Sequence, residues 1–146
     1  MNKLILFAGL LIVTAVPALG APRALELTQT RCQFLEPENQ DHHFRAGSAS
    51  DCTSINGATQ DQRLANSRIV HLGPGPVTIR VTNRDVPWEL GFWLRGKGLG
   101  RVTLPSVSGG GIGTGQTQEY QIDLKPGTYV YSCPLNPTPD YTLIVE

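Results

Sequence analysis

The stretch Lys125 to Glu146 reads K-P-G-T-Y-V-Y-S-C-P-L-N-P-T-P-D-Y-T-L-I-V-E. Pro126-Gly127 is a turn signal, and the residues after it, Thr128 to Cys133, alternate as a strand does. Pro134, Pro137 and Pro139 stiffen a short loop, Pro134 to Asp140, which reverses the chain into a last strand, Tyr141 to Val145. A cysteine therefore closes one strand at the mouth of a tight loop.

Upstream the same punctuation recurs. Thr117 to Leu124 alternates, with Tyr120, Ile122 and Leu124 on one side. Before it, Ser108 to Gly115 reads as a glycine-rich loop folded flat across one end, and Leu99 to Val107 is weakly strand-like. Trp88 to Leu94 is an apolar, aromatic strand whose Gly91 suggests a bulge or a close backbone approach. Arg84 to Pro87 separates it from Val77 to Asn83, which alternates apolar with polar residues as a half-buried strand does. Gly73 to Pro76 is a turn, and Arg68 to Leu72 a strand before it. Residues 47–60 are rich in Ser, Asn, Asp, Thr and Gly and read as loop with at most one helical turn near Asp51; Asp61 to Ser67 reads as a short helix or a lead-in. Glu36 to His43 is a polar loop, and Ala24 to Phe34 a first strand with Leu25, Leu27 and Gln29 on one face. Seven or eight short strands, 16 Gly and 11 Pro describe an all-β sandwich. No internal repeat divides it, so residues 21–146 are expected to form one domain.

Residues 1–20 carry Lys3, the apolar run Leu4 to Val13, and small residues at Ala18 and Gly20, the pattern of an export leader. The run is shorter than the roughly 20 apolar residues of a membrane span. A periplasmic or secreted location follows. Twelve basic and 12 acidic residues cancel, which argues against nucleic acid, or an anionic membrane surface, as the main partner. In an oxidising compartment three cysteines imply one disulfide and one cysteine left over; Cys32 and Cys52 are close in sequence and pair best, leaving Cys133.

Two segments, V-T-N-R-D-V-P-W-E-L (81–90) and P-G-T-Y-V-Y-S-C (126–133), resemble the cupredoxin family, the likeness running from Arg68 to Glu146. The resemblance implies a Greek-key β-sandwich, and azurin-like members carry a comparable N-terminal bridge. It also implies where a copper site would lie: the first family histidine aligns with Trp88, the second with Asn136 and the axial methionine with Tyr141, so only Cys133 matches. A type 1 site needs two imidazoles and a thiolate. No cofactor is therefore expected. The alternative is an atypical copper or electron-transfer site in which Cys133 joins His42 or His43, with Glu89 or Asn136 assisting, or an unusual metal site in which one of those histidines joins Glu36 and Glu38. His71 lies about 20 Å away, at the other end of the strands. Cys133 reads either as a buried relic or as a working thiolate.

In the family, the apolar surface around the ligand histidine docks partners. Here Trp88, Glu89, Phe92, Trp93, Asn136 and Tyr141 form the corresponding candidate binding surface for a protein or small ligand. Nothing supports an enzyme. There is no nucleophile elbow, and the glycine loop delivers the chain into a strand rather than the helix that phosphate loops require.

Overall fold

The computed structural model describes residues 23–146; the expected leader lies outside the described residues. In chain order the elements are β1 (Arg23–Thr30), β2 (Gln33–Phe34), α1 (Leu35–Glu38), α2 (Ala49–Asn66), β3 (Val70–Leu72), β4 (Gly75–Asn83), β5 (Leu90–Gly96), α3 (Gly100–Thr103), β6 (Val107–Ile112), β7 (Thr117–Leu124), β8 (Gly127–Ser132) and β9 (Tyr141–Val145). They form two sheets, ordered β2-β1-β4-β7 and β3-β9-β8-β5-β6. β1 runs parallel to β4, with Gln29 opposite Asn83, and β7 runs antiparallel to β4. In the second sheet β8 is antiparallel to both β5 and β9.

Period-two alternation builds the core. Val77, Ile79 and Val81 of β4 and Tyr120, Ile122 and Leu124 of β7 turn inward, while Arg80 and Glu119 pair outside at 3.2 Å. Phe34 sits at the centre, edge-on to Tyr131 (5.4 Å between centroids), Tyr141 (5.8 Å) and Phe92 (6.3 Å), a geometry aromatic quadrupoles favour. The register places the ends of β1, β4 and β8 and the starts of β5 and β9 together, at the Cys133 end. Arg23, Gly75, Leu72, Gly96 and Gly127 mark the opposite end, with His71 opposite Ile144 beside it.

Three segments differ from expectation. The single first strand splits at Arg31-Cys32, where Cys32 takes a left-handed φ of 66°, giving nine strands among the described residues. Residues 49–66 are one helix, which takes in both the stretch up to residue 60 that read as loop and the short helix or lead-in expected after it. Its inward stripe is polar and small (Cys52, Asn56, Thr59, Arg63), so the helical period is present without the apolar residues that normally reveal it. Its start is signalled by Ser48 and Asp51, whose Oδ2 accepts the N–H groups of Gly47 (2.8 Å) and Ser48 (3.1 Å). Finally, the glycine stretch is not a flat loop but β6, and the strand-like segment before it is the helical turn α3. Glycine is needed in β6 because a Cβ at Gly109 would lie 3.0 Å from the Tyr120 ring. Across the pair, a Cβ at Gly91 would meet Gly109 O at 2.8 Å, and the ladder shifts register there, as expected of Gly91.

Candidate functional site

Cys133 follows β8 and points inward, 1% exposed. Its Sγ accepts the backbone N–H of Gly91 (3.3 Å) and of Asn136 (3.2 Å). Burial in an apolar core pushes the thiol pKa up despite these donors. The sulfur is held as a neutral acceptor, not poised as a thiolate.

The two positions beside it are closed by amides. Asn136 is fully buried. Its Oδ1 accepts the Cys32 N–H at 2.8 Å and lies 3.4 Å from Cys52 Sγ; its Nδ2 donates to Thr30 O (2.8 Å) and Gln29 Oε1 (3.2 Å). Gln29 in turn donates to Gly91 O at 2.9 Å. Both lone-pair and proton capacity of the carboxamide are engaged by protein groups. Cys32 and Cys52 form the disulfide expected from the sequence, tying β1 to α2 directly over this network. Asn83, at the end of β4, accepts the Val86 N–H (2.9 Å) and donates into the carbonyls of Val86, Trp88 and Ile112, each at 3.2 Å, which fixes the loop carrying Trp88.

Trp88 is half-buried, packs between the main core and the Cys32–Cys52 cluster, and donates its Nε1–H to Leu135 O at 3.0 Å. Tyr141 is fully buried, and its hydroxyl donates to Glu38 Oε1. Glu38 also takes a forked pair of bonds from Arg63 (2.6 Å from Nη2, 2.9 Å from Nε), and both side chains are almost completely buried at 2% and 5% exposure. Arg63 further donates to Asn56 Oδ1 (2.6 Å) and Cys32 O (3.0 Å) and lies 4.8 Å over the Phe44 ring. Burial alone would raise the Glu38 carboxyl. Bonds from Arg63 and Tyr141, the Arg63 charge and His42 together outweigh it and hold the carboxyl below its ordinary value.

These contacts redistribute the expected site. Phe92, Asn136 and Tyr141 are interior and offer nothing to a partner. Asn136 and Tyr141 are buried because polar residues inserted from β1, α1 and α2 satisfy them; Phe92 is turned inward by the Gly91 bulge. Trp88, Glu89 and Trp93 remain accessible. Trp93, with exposed Pro134 and Leu135, borders a shallow depression of about 320 Å³ lined also by Gly91, Ser108, Gly109 and Gly110. Glu89 Oε1 accepts the Gly111 N–H at 3.1 Å. His42 is not free to swing to Cys133: its Nε2 is 2.5 Å from Glu38 Oε2, and its ring stacks on Phe44. His43, at φ 53°, projects outward with a side chain 84% exposed. Among the described residues no group of three or more His, Cys, Asp or Glu gathers as a metal site.

The donor set does not suit copper. An indole N–H is a donor only, the Asn136 oxygen is committed to Cys32, and the Tyr141 hydroxyl is turned onto Glu38. Asn56 and Arg63 were not singled out from the sequence; Gln29 was visible only as lying in register with Leu25 and Leu27 on the inner face of β1, and Glu38 only as a possible metal partner of His42 or His43.

Two packed sheets in this order, closed by a cysteine-headed loop, form a β-sandwich of cupredoxin-like fold. Among solved structures the chain is similar to dithionite-reduced auracyanin from the photosynthetic bacterium Roseiflexus castenholzii: 12% identity over 87% of this chain and 99% of that one, TM-score 0.51. It is also similar to auracyanin B (12%, 92% and 94%, 0.50) and to a reduced variant of amicyanin (16%, 88% and 88%, 0.48). At these identities the likeness concerns the fold alone. No family model matches the sequence. No curated protein matches it either.

Proposed function

We propose that this chain is an exported, non-catalytic binding module of the cell envelope, in which the cupredoxin scaffold presents a fixed surface rather than a metal. The observation that carries this reading is the closed network around Asn136, in which every polar atom of the former ligand position serves another protein group. What is left accessible at that end is Trp88, Glu89, Trp93, Pro134 and Leu135. The Trp88 bond to Leu135 O and the prolines at 134, 137 and 139 hold this surface in one shape, which lowers the ordering cost of meeting a protein or small ligand. Export is supported by the leader pattern and by the buried disulfide, which suits a periplasmic or secreted location. Among the described residues no helix is long and apolar enough to cross a membrane.

Two measurements test the reading. Titrating residues 21–146 with Cu(II) and then Cu(I) is expected to produce no thiolate-to-copper absorption band. A stoichiometric copper whose band disappears in Cys133→Ser would overturn the proposal in favour of the atypical copper site. A photoreactive residue placed at Leu135 is expected to capture a defined partner in the native envelope, while the same residue at exposed Gln121 on β7 does not; equal capture at both would sink the binding surface.

A further inference from the structure

The end of the sandwich opposite Cys133 displays the two most exposed large apolar side chains among the described residues, Leu99 at 90% and Val102 at 86%. Both belong to the segment Lys97 to Thr103, a knuckle between β5 and β6 that contains α3. Spaced three apart on a helical turn, they share one face.

Their exposure is built into the backbone. Lys97 N–H donates to Thr128 O (2.9 Å), Gly100 N–H to Lys97 O (3.0 Å), Val102 N–H to Leu99 O (3.3 Å) and Leu104 N–H to Gly100 O (2.8 Å). Leu104 plugs the base of the knuckle: a Cβ at Gly127 would sit 2.8 Å from its Cδ1, and one at Gly96 would sit 2.2 Å from Gly100 O. A turn so tightly seated cannot fold its two aliphatic side chains back into the core. Single exposed leucines are ordinary, whereas a rigid pair aimed outward calls for an apolar contact.

Cations share this end of the sandwich with the pair. Lys97 and Arg101 lie within the knuckle, and Arg23 and Lys125, at the start of β1 and the end of β7, lie at the same end. The acidic residues near it are Asp123, Glu146 and Asp140; Glu146 is paired with His71 at 3.0 Å and Asp140 with Arg95 at 2.8 Å. The balanced net charge conceals this local excess because its members are scattered along the chain.

We propose that this end is a peripheral lipid-contact face. Leu99 and Val102 enter the interface of an anionic bilayer, and Lys97, Arg101, Arg23 and Lys125 lie against its headgroup phosphates. A bilayer suits a convex knuckle better than a folded partner does, since the hollow beside it, about 360 Å³, is lined mainly by Arg95, Lys97, Arg101 and Asp140, with Val130 its one large apolar side chain. Lipid accepts protruding side chains without a matching groove. Leu99 and Val102 lie outside the Trp88 surface, which this face meets at Arg101, 5.0 Å over the Trp93 ring.

The test is co-sedimentation of residues 21–146, which include every strand of the sandwich, with vesicles of equal phosphatidylglycerol and phosphatidylcholine at low salt. Binding is expected, weakening as salt rises, and much weaker on phosphatidylcholine alone. The double variant Leu99→Asp/Val102→Asp is expected to lose about tenfold or more in affinity with an unchanged melting temperature, while Leu135→Asp binds like the parent. No binding to the mixed vesicles, or equal binding by the double variant, would overturn the proposal. So would a concentration-dependent dimer abolished by that variant, which would make the knuckle a contact between copies.

Discussion

At the Cys133 end, polar side chains lie inside and nearly all are matched by other protein groups, Thr30 Oγ1 and Tyr131 OH being the exceptions; at the Gly96 end, apolar side chains stand outside with nothing matched to them. Asn136, at 0% exposure, and Leu99, at 90%, are the extremes of this contrast. Both arrangements run against the average partition of residue types, and both are held by hydrogen bonds rather than by apolar burial. The difference is where the unfavourable contact falls. At the Cys133 end the cost of burying polar atoms is offset within the chain, so the arrangement serves stability and uniqueness of structure. At the Gly96 end the cost of hydrating two aliphatic side chains is left standing in the isolated chain, so the arrangement is relieved only by another surface.

The sharpest way to break this contrast is through the pair Glu38–Arg63. Removing one partner leaves a charge stranded among Phe44, Tyr141 and the disulfide, and Arg63→Met is expected to cost about 3–5 kcal/mol. Urea unfolding would measure it; a loss below about 1 kcal/mol would show that the network is not what closes the Cys133 end. Asn136→Ala comes next. It strands the Cys32 N–H and the Gln29 side chain, and an expected loss of about 2–3 kcal/mol follows from unpaired buried groups. Asn136→Asp is the more informative companion, because it keeps the acceptor for Cys32 while removing the donors to Thr30 and Gln29.

Acid sharpens the same comparison. The Glu38 carboxyl titrates below its ordinary value of 4.5 in the folded chain, because Arg63, Tyr141 and His42 together outweigh its burial. A group whose folded value is depressed contributes stability that is complete above its unfolded value and disappears as pH falls through the folded one. Stability is therefore expected to drop on acidification below about pH 4.5, and Glu38→Gln is expected to flatten that limb. An acid limb identical in parent and variant would place the sensitivity elsewhere.

Much of the sandwich was legible where one face of a strand meets the core and the other meets water. Val77 to Asn83, Thr117 to Leu124 and Tyr141 to Val145 alternate because each has those two faces, and the structure sets β4, β7 and β9 over them. α2 was not legible because its buried stripe is Cys52, Asn56 and Arg63, residues whose period carries meaning only once Glu38 and Asn136 are known to face them. β6 was missed because glycines, which argue for a loop, here stand in a strand where a Cβ at Gly109 would crowd the Tyr120 ring at 3.0 Å and Gly111 takes a φ of 85°. The Cys133 locus was readable as a place but not as a packing arrangement. Tyr141 and Asn136 looked available to a partner because the groups that bury them lie 103 and 104 to 107 positions away in sequence, beyond any local pattern.

The smallest effect tests the other end. Leu99→Ser with Val102→Ser is expected to change folding stability by less than about 0.5 kcal/mol, since side chains already in water lose no burial. Leu104→Ser, a few residues on, is expected to cost about 2–4 kcal/mol, because that side chain fills the gap between Gly100 and Gly127. Thermal unfolding of the two variants side by side decides the matter. If the first pair also destabilised the fold, Leu99 and Val102 would be packing on the domain in solution, and the Gly96 end would cease to differ from the Cys133 end in kind. If only Leu104→Ser did so, the knuckle is a rigid mount whose outward pair adds nothing to folding, and its apolar surface remains free for a contact outside the chain.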